Sequence, residues 1–242
     1  MSTAYVAFLF FLLPLLAGGL VRVVRPSHLW LRLLLSFSGA YLLGVVFMHM
    51  LPELYLKAGI DVGLWVLAGF LLQVVLEYFS HGIEHGHMHT NGGHATAVPL
   101  ITLTSLCMHS FAEGMPFAEP HVAGDVHFLT GVLLHKLPMA VALATVLQRS
   151  GAGALQGWSM LVVFALAAPA GIWAGGMIGA ESAGFLDGML GLAIGMLLHI
   201  STTIIFESAP EHRFNAARFV AVLMGAAIAV LTLQGHTHGH VH

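Results

Sequence analysis

Histidine and glutamate side chains lie inside long apolar runs of this chain. His109 and Glu113 are four residues apart within the run 98–117, and His135 lies within 128–148. A spacing of four places two side chains on one face of a helix. Ionisable groups in an apolar environment are costly and usually line an interior site or a wet pathway. Because imidazole and carboxylate bind zinc and similar ions, these residues predict a site for a divalent transition metal.

The positions of these residues along their helices predict that they meet. His109 lies about 8 residues before the end of its run and His135 about 8 residues after the start of the next, so both are roughly 12 Å deep if the helices are antiparallel. Consecutive antiparallel helices usually pack together. Ser110 and Met139 are further candidate ligands, although a methionine in an apolar run is more often a packing residue. The alternative for each histidine is a core residue that hydrogen-bonds to a neighbouring helix.

Lys136 follows His135 directly and places an ammonium group beside the predicted cation site. This charge should repel the ion unless the lysine is neutral or pairs with a carboxylate. We therefore expect Lys136 to weaken metal binding.

Polar residues also lie on both sides of the predicted core site. His49 and Glu53 come at the end of an earlier run and predict an outer approach to the site; the alternative is an ordinary polar pair at a helix end. His199 lies deep in a later run and Glu207 follows it, and together they predict an inner exit. Each of these two also has a structural alternative, as a core histidine and a boundary glutamate.

Two segments are rich in histidine. The tail 236–242 has four histidines, and the segment 81–97 contains His81, His85, His87, His89 and His94. Such composition is typical of low-affinity metal binding. We expect the 81–97 segment to act as a cytoplasmic metal buffer or sensor, and the tail either to capture ions outside or to be dispensable.

The overall composition indicates a membrane protein. The 242 residues are 58% hydrophobic and 8% charged, with a mean hydropathy of +0.89, whereas soluble domains average about 25% charged residues. The single cysteine, Cys107, excludes an intrachain disulfide framework and a cysteine-rich zinc module. The net charge of −3 gives no support for nucleic-acid binding.

Eight apolar windows are long enough to cross a membrane, which takes about 20 mostly apolar residues. They cover approximately 4–21, 31–52, 62–80, 98–117, 128–148, 156–178, 186–206 and 216–234. We therefore predict an all-α, polytopic membrane protein with an eight-helix transmembrane bundle and a single domain over 1–242. No positive residue precedes the first window, so we expect a retained span and not a signal peptide.

The positive residues predict the orientation of this bundle. Connections after odd-numbered windows carry Arg22, Arg25, Arg32, Arg149, Arg213 and Arg218, whereas Lys57 alone follows an even-numbered window. By the positive-inside rule, both termini are extracytoplasmic and the 81–97 segment is cytoplasmic, in a plasma or inner membrane. Glycines at four-residue spacing allow close helix packing within one chain or between two, so a homodimer is compatible with the sequence.

Three motifs together resemble those of the ZIP (Zrt/Irt-like) metal transporters. The family's fourth span typically reads His-Asn-x-Pro-Glu-Gly, and residues 109–114 read His-Ser-Phe-Ala-Glu-Gly. Its fifth span typically reads His-Glu-x-Pro-Glu, and residues 135–139 read His-Lys-Leu-Pro-Met. Its second span often ends in His-x-x-Pro-Glu, which residues 49–53 match. The resemblance covers nearly the whole chain in topology and implies eight spans, both ends outside and a histidine-rich cytoplasmic loop between the third and fourth.

The departures from the family pattern affect the number of ions. Many members hold two adjacent metal ions bridged by acidic residues. Lys136 and Met139 stand where two of those acids are expected, and Ser110 replaces the asparagine. With two anions lost and one cation gained, the resemblance implies a single core ion, with the Lys136 ammonium where the second ion would lie.

The residues and the resemblance together predict passage of Zn²⁺, or a similar divalent ion, towards the cytoplasm. We expect no enzymatic activity and no organic cofactor; the partners are the ion and the lipid bilayer. One alternative is an intramembrane zinc hydrolase, although the chain has no HExxH motif. A membrane metal sensor is the other. Zn²⁺, Fe²⁺, Mn²⁺ and Cd²⁺ all suit such ligands, so the identity of the ion stays open.

Overall fold

The computed structural model is helical throughout the residues that it describes, which are 1–24, 27–80, 97–149, 153–180, 184–207 and 216–237. The α-helices in these ranges are α1 (Thr3–Val24), α2 (His28–Val45), α3 (Leu51–Ala58), α4 (Val62–Ser80), α5 (Ala97–Gly114), α6 (Pro120–Gly124), α7 (Val126–Arg149), α8 (Ala154–Gly179), α9 (Phe185–Glu207) and α10 (Ala216–Thr237). A π-helical turn (Val46–Met50) joins α2 to α3, and a 3₁₀ turn (Met115–Ala118) follows α5. The predicted all-α class is confirmed.

Seven helical segments in the described ranges are long and apolar enough to cross a membrane. They are Thr3–Val24, Leu29–Ala58, Val62–Ser80, Val126–Arg149, Ala154–Gly179, Phe185–Ile205 and Ala216–Gln234. The fourth predicted window corresponds to α5 and the following 3₁₀ turn, which are not among the seven. The helix α5 has only 18 residues, and its mean hydropathy is lowered by His109, Glu113 and several hydroxyl side chains. The chain is thus a multi-pass helical membrane protein.

The second predicted window continues further than expected. The window was expected to end near residue 52, but the helical path runs from His28 to Ala58 through the π-helical turn. Pro52 lies in the first turn of α3, where its missing N–H is tolerated. Just before it, the N–H of Leu51 donates to the carbonyl of Val46, five residues back. This wider turn contains His49, and such turns occur frequently at functional sites.

The helix α7 is the central element of the bundle. Buried residues make up 72% of its apolar window, compared with 17% for α10, which lies at the periphery against α2. Around α7 pack α1 and α2, while α4 packs mainly on α9. The residues of α7 are therefore surrounded by protein, which gives an ionisable side chain on this helix partners other than lipid.

Glycines bring α5 against α8. A β-carbon on Gly171 would collide with the carbonyl oxygen of Phe111, and one on Gly175 would collide with that of Met115. From the other side, a β-carbon on Gly114 would meet the backbone of Ala168. The expected contact between α5 and α7 is present but small: the backbone of α5 packs mainly on α8, and only a few residues of α5 approach α7. The side chains of Glu113 on α5 and Lys136 on α7 bridge the distance between these two helices.

Candidate metal site

The structure brings three predicted residues together in the interior of the bundle. His109 and Glu113 extend from α5 and His135 extends from α7, and one ligand atom of each lies within 4.8 Å of the others. All three side chains are buried. The two imidazole rings are nearly perpendicular, with centroids 6.0 Å apart. Two nitrogen ligands and one oxygen ligand thus converge on one point, which suits a divalent transition metal.

Lys136 forms a buried ion pair with one of these residues. Its Nζ donates a hydrogen bond to Glu113 Oε2 over 2.5 Å, and the two side chains are 0% and 1% exposed. The rings of Phe10 and Phe164 also lie near this ammonium, with centroids 5.2 Å and 5.9 Å from Nζ. The second oxygen, Glu113 Oε1, is buried and makes no hydrogen bond within the described part of the chain. One carboxylate therefore holds the internal cation with one oxygen and offers the other to an ion.

Gln73 on α4 orients His109. The amide oxygen of Gln73 lies 2.9 Å from His109 Nδ1, and both side chains are fully buried. A proton on Nδ1 donates to this oxygen and places the ligand lone pair on Nε2, as outer partners of metal-binding histidines commonly do. Sequence reasoning missed Gln73. The available signal was an amide inside the apolar window 62–80.

The two weaker candidate ligands lie in different surroundings. Ser110 is fully buried next to His109, and its hydroxyl makes no hydrogen bond within the described residues. Met139 is also fully buried, but it belongs to an apolar cluster that contains Leu106 and Leu143. Packing accounts for Met139 without a metal.

A second group of possible ligands lies towards the C-terminal end of the helical path from His28 to Ala58. His49, Glu53 and Asp125 each place a ligand atom within 4.8 Å of the others. His49 Nε2 is 2.6 Å from Asp125 Oδ2, and His49 Nδ1 is 3.9 Å from Glu53 Oε2. Sequence reasoning predicted the first two residues and missed Asp125, which stands in a short polar connection between α6 and α7.

The surroundings of Asp125 keep it ionised. Burial raises the pKa of this carboxyl, but the hydrogen bonds from His49 and from the Phe128 N–H, with the nearby charges of His49 and His127, lower it below its ordinary value overall. Two carboxylates, those of Asp125 and Glu53, therefore flank the His49 imidazole.

On the other side of the core site, His199 forms a hydrogen-bonded pair with Glu77. His199 lies on α9 and Glu77 on α4, one helical turn from Gln73. The ring of Phe70 packs edge-on against His199 at 4.9 Å. Sequence reasoning predicted His199 and missed Glu77, although an acid within an apolar window was a usable signal. The helix α4 thus contacts His109 through Gln73 and His199 through Glu77.

Several predicted residues cannot be placed. The histidines of the 81–97 segment (His81, His85, His87, His89 and His94) lie outside the described residues, as does the tail from residue 238 onwards. Glu207 is the last residue of α9, and the description of that position is limited to its backbone.

Comparisons with known proteins agree with the chemistry of these residues. A family model described as ZIP zinc transporter matches residues 94–233, from just before α5 to near the end of α10. Zinc transporter ZIP13 of Pongo abelii is 30% identical over 158 residues, an alignment that covers 57% of this chain and 45% of that protein. Zinc transporter ZIP13 of Homo sapiens is 28% identical over 187 residues, covering 57% and 50%. The chain spans about half the length of the curated relatives that it matches.

Proposed function

This chain belongs to the ZIP family of zinc transporters, and on that premise we propose that it carries Zn²⁺, or a similar divalent ion, across the membrane towards the cytoplasm. The observation that carries the proposal is the convergence of His109, Glu113 and His135, whose ligand atoms lie within 4.8 Å of one another in a buried position. Two helices supply these ligands, α5 and α7, so the ion would bind between two elements of the bundle.

The ligand set suits an ion that must leave again. In a tetrahedral zinc site with bonds of about 2.1 Å, two ligand atoms lie about 3.4 Å apart. The three ligand atoms of this site lie within 4.8 Å of one another, so a contraction of at most about 1.4 Å would let all three residues bind. Three protein ligands leave a fourth position for water, as in zinc sites that exchange their ligands.

Lys136 gives the site a built-in competitor for the ion. Its ammonium occupies Glu113 Oε2 when no metal is bound, so zinc binding weakens an existing ion pair. After release, the same ammonium returns to the carboxylate and stabilises it in the buried interior. We infer that the core holds one ion, because the Lys136 charge stands where a second cation would be repelled.

Polar residues on both sides of the core provide the route. On the outer side these are His49 and Glu53, and on the inner side His199 with Glu77, followed by Glu207 at the end of α9. The helix α4 contacts the core through Gln73 and the inner His199 through Glu77. Polar residues on both sides of the core are what a pathway requires, whereas a site for hydrolysis alone does not need them.

The proposed orientation has eight spans, α5 included, and both termini outside. Two contacts support the alternating direction of the spans. The Arg22 guanidinium reaches Ala154 O at 3.5 Å and lies 4.8 Å from the Trp158 ring, so the end of α1 and the start of α8 share one face. Lys57 pairs with Asp187 over 2.8 Å and joins the end of α3 to the start of α9 on the other face. The positive-inside rule supports the assignment of the first face to the cytoplasm. A plasma or inner membrane, a cytoplasmic 81–97 segment and a single domain over 1–242, alone or as a homodimer, complete the proposal.

Zinc flux into vesicles tests this function. The purified protein is reconstituted into liposomes that contain a fluorescent zinc reporter, and uptake is followed after external zinc is added. We expect saturable uptake that is largely lost in H109A, E113A and H135A. The control is T104A, on the same helix, where the hydroxyl bonds only its own helix backbone and the side chain is exposed. Zinc binding without uptake would indicate a metal sensor and not a transporter. Zinc-dependent peptide cleavage without uptake would indicate a hydrolase.

A further inference from the structure

We propose that His49, Glu53, Asp125 and His121 form a second metal site, separate from the core, that binds a divalent transition-metal ion at the outer mouth of the pathway. This inference deepens the proposed function, because such a site would load the core with ions. Its metal binding does not require transport, so each can fail without the other.

The ligand chemistry matches that of the core site. His49, Glu53 and Asp125 supply one nitrogen and two oxygen ligands within 4.8 Å. His121 adds a fourth group, with its Nδ1 3.6 Å from Glu53 Oε1. One or two imidazoles with two carboxylates suit Zn²⁺ and its neighbours better than Mg²⁺ or Ca²⁺, which prefer oxygen ligands alone.

Two local features of the backbone fix this arrangement. The π-helical turn before Pro52 contains His49 and sets its direction. Asp125 is the residue before α7 and accepts a hydrogen bond from the Phe128 N–H through Oδ1 at 2.9 Å, as an N-cap does. Its other oxygen, Oδ2, is thereby directed at His49. The Asp125 side chain is only 8% exposed, so the carboxylate is held in place.

The charge and the space around the cluster also favour a cation. The nearby cation Lys57 donates to Asp187 at 2.8 Å, so its hydrogen bond is directed away from Glu53 and Asp125. Glu53, Asp125 and His121 line a small cavity of about 20 Å³, whose wall also includes Lys57; the volume is enough for roughly one water molecule. A single ion therefore needs no new opening in the fold, and the Lys57 ammonium is held by Asp187.

The outer site has a physical link to the core. Asp125 caps the N-terminus of α7, the helix that carries His135 and Lys136 further along. An ion bound at Asp125 is therefore attached to the helix that carries one of the proposed core ligands, His135. The His121 side chain is 72% exposed and that of Glu53 is partly exposed, so both face the side from which ions arrive.

The direct test is residue-specific protection by zinc. The variant H109A/H135A lacks the core site but keeps the outer residues. It is treated with diethyl pyrocarbonate at increasing Zn²⁺, and modification of His49 and His121 is measured by mass spectrometry. Because the readout is local, zinc bound at the histidine-rich segments does not obscure it. We expect Zn²⁺ to protect both histidines, and Mg²⁺ at the same concentration to protect neither.

Asp125→Asn and Asp61→Asn form a matched pair of variants in this background. Asparagine keeps the N-cap of α7 but removes the anionic ligand, so D125N should raise the zinc concentration for half-protection by about tenfold or more. D61N removes an acid in the α3–α4 connection, outside the cluster, and should leave it unchanged. If zinc does not protect His49 in folded H109A/H135A, the cluster is a structural ion pair only and the proposal is wrong. Equal protection in D125N and D61N would also overturn it.

A measurement of zinc uptake distinguishes the proposed outer metal site from the proposed transport function. With the core intact, D125N should raise the KM for zinc uptake and leave the maximal rate nearly unchanged. Absence of uptake by the native protein, with His49 still protected, would end the transporter proposal and leave the outer site standing. Normal uptake and KM in D125N, with no protection of His49, would overturn the outer site and leave the transporter proposal standing.

Discussion

Lys136 Nζ lies 2.5 Å from Glu113 Oε2, and both side chains are almost completely buried. The carboxylate of the proposed core site is thus already paired with a cation of the protein. A buried ion pair costs desolvation energy that good geometry only partly offsets. Its presence here gives Glu113 a paired state without metal, which the proposed transport cycle requires after each release.

Lys136→Met should expose this role. Removing one partner of a buried ion pair costs about 3–5 kcal/mol, so we expect a lower melting temperature in zinc-free buffer. Zinc should then raise the melting temperature more than in the native protein, because the ion becomes the only cation available to Glu113. Lys57→Met, at a half-exposed pair that contributes about 0–1 kcal/mol, is the control. An equal zinc-induced shift in K136M and in the native protein would contradict competition for Glu113.

The double change Lys136→Glu with Met139→Glu should create a second core ion. It removes the internal cation and adds two carboxylates beside Glu113, so two adjacent ions are no longer repelled by a fixed positive charge. Zinc is counted by equilibrium dialysis, and the ions bound by H109A/H135A are subtracted in each case. We expect a difference of one ion for the native residues and two for the double variant. A native difference of two would show that other ligands replace the missing acids.

Gln73→Ala should weaken metal binding without removing any ligand. The amide that holds His109 Nδ1 is lost, and loss of such an outer partner typically costs about 10–100-fold in metal affinity. The apparent affinity for zinc uptake is the measurement. Ser80→Ala removes another buried polar group of α4, one whose hydroxyl bonds its own helix, and should have little effect. A Q73A variant with unchanged affinity would mean that packing alone orients His109.

The sequence predicted that His109, Glu113 and His135 converge, because their spacing and depth are local to each helix. His109 and Glu113 share a face through their spacing, and His135 matches their depth. The partner of Lys136 was not predictable, because several acids in the chain were available to it. Gln73 was missed for a similar reason: an amide in an apolar window says nothing about which neighbour it contacts. The packing of α5 on α8 depends on glycines that approach backbone atoms, and their spacing alone does not identify the helix that they meet.

The outer cluster was also only partly predictable from the sequence. The spacing of His49 and Glu53 predicted a pair on one helix face, but Asp125 joins them from more than 70 residues away in sequence. The π-helical turn was also not foreseen, because a proline such as Pro52 is compatible with a kink or an end of a helix as well as with a wider turn before it. Contacts between distant segments were accessible only from the fold.

The histidine-rich segments should tune uptake without enabling it. Both the 81–97 segment and the tail lie outside the proposed spans, so their removal leaves the core ligands in place. We expect a variant in which a glycine-serine linker replaces 81–97 and the tail 236–242 is deleted to transport zinc at saturating concentration. Vesicle uptake at high and low zinc is the measurement. Complete loss at high zinc, with normal insertion, would show that the core site is not sufficient.

The position of a bound zinc ion tests the central claim most directly. Crystals of the full protein grown with zinc, with diffraction recorded at the zinc absorption edge, would locate each ion by its anomalous signal. The account predicts one core peak between His109, His135 and Glu113, with the Lys136 ammonium displaced from Glu113 Oε2. An absence of any peak among these three residues at saturating zinc, or a peak that leaves the Lys136–Glu113 pair intact and lies elsewhere in the bundle, would contradict it.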